Sequence, residues 1–255
     1  MPVILLGGSL PGLAPSEVTG CQLWYDASTN VYTDEAGTTP AGDTDAVRAW
    51  TDRVSGYKVT TQGTASAAPV LDVDLANGRP ALLFDATNDR LYTNDNAADS
   101  YLGTSNTEFL VVKFTDATPT ADQRIVMFYD GVDVNVSIQN VGGFTTMWVT
   151  NYDGSQDVAD KSSLTMTSWM IITRMNNGSN VLIGHNDTRT ASLTSTASGN
   201  TSFGANCNLH IRNVPATYNA LQVAEIAHFN VALSEANRQE IERRLAFKYG
   251  ITLPY

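Results

Sequence analysis

The 255-residue chain has few basic residues, few cysteines and no long hydrophobic run. Its 15 Lys and Arg residues stand against 26 Asp and Glu residues, which gives a formal net charge of −11 at pH 7. A potential of this sign repels phosphate backbones and anionic lipid headgroups. The basic residues of the segment 238–248 are interleaved with glutamates at helical spacing and form no basic patch. We therefore expect neither nucleic-acid binding nor membrane binding.

The sequence also contains little that indicates export or disulfide stabilisation. The apolar run at residues 1–6 has no preceding basic region and ends at Gly7, so it is too short for a signal peptide or a membrane span. We expect a protein that does not use the general secretory pathway. Cys21 and Cys207 lie far apart in the sequence. They could form one disulfide, but two buried free thiols are the favoured interpretation.

Short β-rich segments separated by turn residues dominate the chain from Cys21 onward. The dipeptides Asp130-Gly131, Asp153-Gly154 and Asn177-Gly178 tolerate the positive φ angles of tight hairpins. Many short strands at this spacing are typical of a β-sandwich. The predicted strands are 21–25, 57–61, 80–84, 108–114, 124–129, 132–139, 144–150, 169–175, 181–185, 208–213 and 221–230.

A helix is predicted only near the C-terminal end. Ser234 fits the N-cap position, Ile241, Leu245 and Tyr249 repeat at four-residue spacing, and Gly250 fits the C′ position. At the other end, residues 1–20 contain four glycines and three prolines and show no periodicity. We interpret residues 1–20 as an extended N-terminal arm and residues 21–255 as one domain.

Several stretches of the chain suggest a known family. They are LWYDAS at 23–28, VRAWTDR at 47–53, GRPALLFD at 78–85 with NDRL at 88–91, and EIAHFN at 225–230 with LSEANRQ at 233–239. Together they resemble the concanavalin A-like lectin/glucanase (laminin-G-like) domains of bacterial and phage surface proteins. The resemblance implies an all-β fold: a two-sheet antiparallel jelly-roll sandwich with one C-terminal helix.

One departure from that family concerns a loop. Such domains usually follow the Trp-x-Asp segment with a Ser-Gly-Asn-Gly-type loop, whereas this chain has Val54-Ser55-Gly56-Tyr57. The resemblance therefore does not imply that this loop contacts a ligand.

The resemblance leaves the activity open, because this superfamily includes sugar binding, glycan cleavage and structural adhesion. Glycosidases need two carboxyl groups at a set separation, and glucanases of this fold carry them in a Glu-x-Asp-x-x-Glu type run. The chain has no such run, and its strand glutamates, Glu108 and Glu225, lack an acidic residue two positions away. We therefore predict no catalytic residues, and glycoside hydrolysis is the third-ranked alternative.

The alternation in residues 132–139 predicts a glycan-binding face. Val132, Val134, Val136 and Ile138 fall on one face and polar residues on the other. A four-residue turn at 140–143 would place Trp148 opposite Asn135, among short polar side chains. An indole in this setting suits a sugar ring, although a solvated face or one covered by a neighbouring subunit or the arm remains the alternative. The candidate glycan-binding residues are Asp133, Asn135, Ser137, Thr146 and Trp148.

The segment 151–157 contains a cluster of oxygen ligands. Asn151, Asp153 and Asp157 are the candidate ligands for a calcium ion, since calcium prefers carboxylate and amide oxygens. The segment lacks the full Asp-x-Asp-x-Asp-Gly order and the distal glutamate of a calcium loop. An Asx-rich turn is the favoured interpretation, so we expect no cofactor, with calcium as the alternative.

The arm provides the remaining functional prediction. Val3, Ile4, Leu5 and Leu6 have high β-propensity and are costly to expose, so they are expected either to anchor in a partner or to pack as an edge strand on their own domain. Phage proteins leave the cell by lysis and need no export signal. We interpret the chain as a non-enzymatic bacteriophage virion-surface protein, a head decoration or fibre, with a lectin-like domain.

This interpretation carries expectations about partners. The arm would bind other virion proteins, the domain would take surface glycans, and the protein would form a homo-oligomer on the virion surface. A free carbohydrate-binding module is the runner-up interpretation.

Overall fold

The computed structural model describes residues 12–118, 123–129, 134–140, 147–152, 156–161, 164–186, 194–198, 207–213 and 220–254. Within these ranges the chain forms seventeen strands and one α-helix. No helix in the described part of the chain has the length and apolar composition to cross a membrane.

The elements are numbered in chain order. The strands are β1 (Cys21–Asp26), β2 (Val31–Tyr32), β3 (Ala49–Thr51), β4 (Lys58–Thr60), β5 (Val70–Asp72), β6 (Ala81–Phe84), β7 (Leu91–Tyr92), β8 (Asn106–Phe114), β9 (Gln123–Tyr129), β10 (Val134–Asn140), β11 (Met147–Tyr152), β12 (Gln156–Lys161), β13 (Met170–Asn176), β14 (Asn180–His185), β15 (Thr194–Ser198), β16 (Asn208–Asn213) and β17 (Leu221–Phe229). The helix is α1 (Glu235–Tyr249).

The strands form two antiparallel sheets. Sheet A has the order β15-β14-β13-β8-β17-β6-β5, with β1 also paired to β17. Sheet B has the order β12-β11-β10-β9-β16-β7-β4-β3-β2. The fold is therefore an all-β two-sheet sandwich with one C-terminal helix, as the sequence predicts.

The apolar side chains form two cores, one on each face of sheet A. The first core lies between the sheets and includes Trp50, whose ring contacts Tyr25 edge-on at 5.4 Å between centroids. The second core lies between sheet A and α1 and includes Phe109, Phe229 and Tyr249. Each fully buried apolar side chain of this size contributes about 1.5–3 kcal/mol to the free energy of folding. The molecule thus has three layers: α1, sheet A and sheet B.

The sequences of β8 and β17 fit a position between two cores. Strands covered on both faces are hydrophobic nearly throughout rather than alternating. All nine residues of β17 are buried, and in β8 only Lys113 is partly exposed. A register irregularity between Val223 and Glu225 interrupts their pairing.

The helix begins and ends as the sequence predicts. The Ser234 hydroxyl accepts a hydrogen bond from the backbone N–H of Asn237 at 3.3 Å, which satisfies one of the unpaired donors at the helix start. Gly250 has φ +64°, the left-handed conformation that glycine adopts at helix ends. Ile241, Leu245 and Tyr249 are buried in the second core.

The described part of the arm, residues 12–20, packs on the domain. A 3₁₀ turn spans Pro15–Glu17, and Ala14 and Val18 are buried in the second core beside α1. Gly12 has φ +88° and lies so close to α1 that an added Cβ would be 2.2 Å from the Glu240 carbonyl oxygen. The predicted anchor, Val3 to Leu6, lies outside the described residues.

The hairpin of β10 and β11 forms in a different register from the predicted one. Trp148 lies opposite Gln139, whereas a four-residue turn would place it opposite Asn135. Residues 141–146, between the two strands, lie outside the described residues. Because the register shift is an even number of residues, every residue stays on its predicted face of the sheet.

The cysteines are not joined in the described structure. Cys207 is buried in the first core, Cys21 is partly buried in β1, and no disulfide links the two. Burial raises the pKa of Cys21 to about 12, with the charge of Asp52 acting in the same direction. The Cys21 thiol therefore stays protonated at neutral pH, and thiolate is the reactive form of cysteine.

A glycine pair tests how tightly residues 12–20 are held. Gly56→Ala is expected to lower the free energy of unfolding by about 1 kcal/mol, because Gly56 has φ +78° but no atom near its absent side chain. Gly12→Ala has the same conformational cost plus a clash with the α1 backbone, so we expect a further loss of about 1–3 kcal/mol. Urea denaturation measures both values. Equal losses in the two variants would show that residues 12–20 do not pack on α1 in solution.

Candidate functional site

Buried charges attach α1 to the sheet. The Lys248 ammonium lies 2.8 Å from a carboxylate oxygen of Asp26 in β1 and 2.6 Å from one of Glu225 in β17. Glu225 also accepts hydrogen bonds from the Trp24 indole at 2.6 Å and the Tyr249 hydroxyl at 2.8 Å. The other polar atoms of this cluster are thus satisfied as well, as buried charges require.

The two carboxylates that share Lys248 differ in acidity. Burial by itself would raise the pKa of Asp26, but the charge of Lys248 and hydrogen bonds from Lys248 and Ser28 hold it below its ordinary value. Burial raises the pKa of Glu225 above its ordinary value despite the attraction of Lys248, and the charge of Asp26 adds to that rise. Lys248 therefore helps to keep the pKa of Asp26 below its ordinary value, whereas its charge does not offset the effect of burial on the pKa of Glu225.

A second buried cluster lies on the opposite face of sheet A, between the sheets. One carboxylate oxygen of Glu108 is 3.1 Å from His228 Nδ1, and the other is 3.5 Å from the Arg174 guanidinium. Burial opposes ionisation of Glu108, but the hydrogen bond from His228 and the charge of Arg174 lower its pKa below the ordinary value. Glu108 is 1% exposed, so a substrate cannot reach it from solvent.

An open cleft of about 490 Å³ lies at one end of sheet A, beside the C-terminal end of α1. Pockets that bind small ligands have volumes of roughly 300–1,000 Å³. The lining residues come from a turn before β6, the end of β8, the segment before β13, the residue after β14 and the chain after α1. They are Asn77, Lys113, Thr167, Ser168, Trp169, Asn186, Tyr249, Gly250, Ile251 and Thr252.

Two aromatic rings contribute to the cleft. The ring of Trp169 is partly exposed and lies nearly parallel to that of Tyr249, with 6.4 Å between centroids and 25° between planes. The Tyr249 hydroxyl is bound to Glu225, which fixes the tyrosine ring from the core side. Trp169 directly precedes β13, and its side chain packs against the second core. The indole is therefore held by its neighbours while part of its surface faces solvent.

The polar lining of the cleft is partly fixed by the backbone. The side-chain oxygen of Asn186 accepts a hydrogen bond from the Ile171 backbone N–H at 2.7 Å, so the amide NH₂ group is left as the donor. Asn77 has φ +53° and its side chain lies against Gly250. Thr167, Ser168 and Thr252 add hydroxyl groups. Such groups bind water or the hydroxyls of a ligand equally well.

The predicted glycan-binding face is described only in part. Asp133 and Thr146 lie outside the described residues. Asn135, Ser137 and Trp148 lie in β10 and β11, where Ser137 pairs with Thr150 instead of the predicted Thr146. The neighbouring Ile138 is buried in the first core, and backbone alternation places Ser137 on the other face of sheet B.

The candidate calcium ligands belong to a hairpin. Asn151 is the penultimate residue of β11 and lies directly opposite Asp157 of β12, and Asp153 lies outside the described residues. The segment thus contains two paired strands joined by residues 153–155. Nowhere in the described part of the chain do three metal-binding side chains of His, Cys, Asp or Glu come together.

No local pattern in the sequence indicates the cleft. The pattern assigns Trp169 to the first position of a strand, whereas β13 begins at Met170 and leaves Trp169 at the sheet end. Lys113 belongs to a strand that is otherwise buried, and a lone lysine there is a weak signal. The lining residues come from five separate parts of the chain, so no local spacing brings them together.

Comparisons with solved structures give distant matches over most of the chain. A sialidase of Trypanosoma rangeli in complex with sialic acid matches 95% of this chain and 36% of its own, at 10% identity and TM-score 0.59. The binding domain of botulinum neurotoxin DC in complex with rat synaptotagmin II matches 90% and 52%, at 10% identity and TM-score 0.54. The botulinum neurotoxin type G receptor-binding domain matches 90% and 51%, at 13% identity and TM-score 0.53.

These likenesses concern the fold. At such identities they agree with the two-sheet β-sandwich, a jelly-roll or lectin-like architecture, and the chain spans between 36% and 52% of the solved chains it matches. No protein-family model and no curated protein matches the sequence.

Removing the shared cation tests the cluster under α1. Lys248→Met leaves the buried Glu225 without a cation, so we expect a loss of about 3–5 kcal/mol in the free energy of unfolding at neutral pH. The loss should shrink as the pH falls, because a protonated carboxyl group needs no cation and its pKa is raised in the folded variant. Urea denaturation at several pH values measures both effects.

Lys113→Met is the matched control for that experiment. Lys113 is partly exposed and makes no ion pair among the described residues, so we expect a change within about 0.5 kcal/mol. A loss in Lys248→Met as small as that of the control would contradict the role assigned to Lys248.

Proposed function

We propose that this chain is a non-catalytic glycan-binding module of the concanavalin A-like type, displayed on the surface of a bacteriophage virion. The observation that carries the glycan-binding part is the cleft beside α1, in which a fixed and partly exposed indole is surrounded by amide and hydroxyl groups. The C–H face of a sugar ring packs on an aromatic surface, while its hydroxyls need hydrogen-bonding partners. The cleft offers both kinds of contact side by side.

The distant neighbours support a glycan ligand. One matched sialidase structure contains sialic acid, and the binding domain of botulinum neurotoxin DC matches this chain again in a complex with SialylT, at TM-score 0.52 and 10% identity. The same binding domain is also found in complex with synaptotagmin, a protein. This likeness favours a recognition role and is compatible with the cleft chemistry.

The placement of the carboxylates supports a module without catalysis. Glycoside hydrolysis needs two carboxyl groups on either side of the scissile bond. Glu108 and Glu225 are each about 1% exposed and each is bound to a buried cation. The described residues of the cleft lining include no carboxylate. Both strand glutamates are therefore used to hold the fold together.

Two tryptophan variants decide where the glycan binds. In a glycan-array screen followed by calorimetry, Trp169→Ala is expected to weaken the best ligand about tenfold or more, which corresponds to about 1.4 kcal/mol. Trp148→Ala, on the outer face of sheet B, should leave that affinity unchanged. The reverse result would place the glycan on the β10–β11 face predicted from the sequence. Failure of the unmodified protein to bind any glycan would overturn the proposed function.

The virion part of the proposal rests on the resemblance to phage surface domains and on the apolar Val3 to Leu6 segment. Deleting residues 2–12 should abolish attachment to phage particles, or the homo-oligomer, while leaving the domain folded. Sedimentation with particles, size-exclusion mass and circular dichroism measure the three properties. A truncated protein that keeps its assembly and only melts at a lower temperature would favour a free carbohydrate-binding module.

A further inference from the structure

We propose that the cleft beside α1 selects acidic glycans, with the Lys113 ammonium binding the carboxylate of the sugar. This inference rests on the proposed glycan-binding function and adds the class of ligand to it. Three features of the structure carry it: the sign of the charge in the cleft, the position of Lys113 and the hydrogen-bonding polarity of its neighbours.

The charge in the cleft is opposite to that of the protein. The chain has 26 acidic and 15 basic residues, yet the ten described residues that line the cleft include one cation and no carboxylate. Carboxylates would repel an acidic sugar at short range, so this described part of the lining suits an acidic ligand.

Lys113 contrasts with Lys58 and Arg53, whose charged groups are bound within the described structure. The Lys58 ammonium donates to the carbonyl oxygens of Glu35 and Ala36 at 2.7 and 3.0 Å, and the Arg53 guanidinium is 2.9 Å from Asp26. The Lys113 side chain makes no ion pair or hydrogen bond among the described residues, so a ligand that binds its ammonium displaces no partner there.

The strand register brings the ammonium and the indole to the same place. Met170 of β13 lies opposite Val112 of β8, and extending this antiparallel register by one residue places Trp169 opposite Lys113. Directly opposed residues lie on the same face, about 4.5–5.5 Å apart at Cβ. A sugar ring on Trp169 thus carries its carboxylate within reach of the lysine.

The neighbouring amide strengthens the preference for an anion. The Asn186 oxygen is occupied by the Ile171 N–H, so the Asn186 side chain presents its NH₂ donor to the cleft. Hydrogen bonds from a donor to a carboxylate are stronger than those to a neutral hydroxyl. Lys113 and Asn186 together supply positive and donor groups on the side of the cleft formed by sheet A.

Because the protein has a negative net charge, the attraction between Lys113 and an acidic glycan acts only at short range. The Debye length is about 8 Å at physiological ionic strength, so the many distant carboxylates are largely screened while a direct contact with Lys113 is not. Raising the salt concentration should still weaken acidic-glycan binding, because the cleft is open to solvent. Neutral-glycan binding should not respond.

Calorimetry with matched ligands tests the inference. The probes are sialyllactose against the methyl ester of its carboxyl group, and trigalacturonate against its methyl ester, since each pair differs in the charge of the acidic groups. The unmodified protein should bind at least one acidic member about tenfold more tightly than its neutral partner. Lys113→Gln should remove this preference and leave neutral-ligand affinity within about twofold, and Lys113→Arg should restore it.

Lys58→Gln is the matched control, because it removes the same charge from sheet B, away from the cleft. It should leave the acidic preference intact. A protein that binds neutral glycans through Trp169 but shows no acidic preference, or whose preference survives Lys113→Gln, overturns this inference and leaves the proposed function standing. Absence of binding to every glycan on an array overturns both.

Discussion

The Lys248 ammonium joins the first strand, the last strand and the helix. Asp26 is in β1, Glu225 is in β17, and Lys248 is at the end of α1. Asp26 also contacts Arg53, but Glu225 has Lys248 as its cation, and a buried charge must be paired. The contact therefore fixes the C-terminal turn of α1 on sheet A, and with it the ring of Tyr249 and the residues after it that line the cleft.

The polar residues of the domain fall into two groups, the buried ion pairs and the lining of the cleft. Glu108 and Glu225 lie on opposite faces of sheet A, and each is bound to groups of other strands or of α1. Such clusters hold neighbouring elements in place, because removing one partner leaves the other charge buried and unpaired. The cleft has the opposite character: its amides, hydroxyls and single ammonium face solvent at the sheet end. Recognition and stability thus use different residues.

The elements that the sequence predicts well have a strong local signal. The long strands β8 and β17 have apolar residues at most positions, and α1 has its cap at Ser234, its apolar spacing and its terminal Gly250. The short strands β2, β3 and β7 have two or three residues each, too few for periodicity, and no prediction covers them. The register of Trp148 depends on which residues of β10 and β11 pair, and the local sequence pattern fixes only the face of each residue.

The sequence by itself determined the fold class, the C-terminal helix and the faces of the strands, because hydrophobic alternation and capping act over a few residues. It also determined that the two glutamates in its long strands have no acidic neighbour two residues away. Only the tertiary structure decided that these glutamates are buried in ion pairs, and that Lys113 and Trp169 meet at one end of sheet A. Those contacts join residues that lie on different strands or on α1, more than twenty positions apart in the chain, and such pairs are set by how the elements pack rather than by any local pattern.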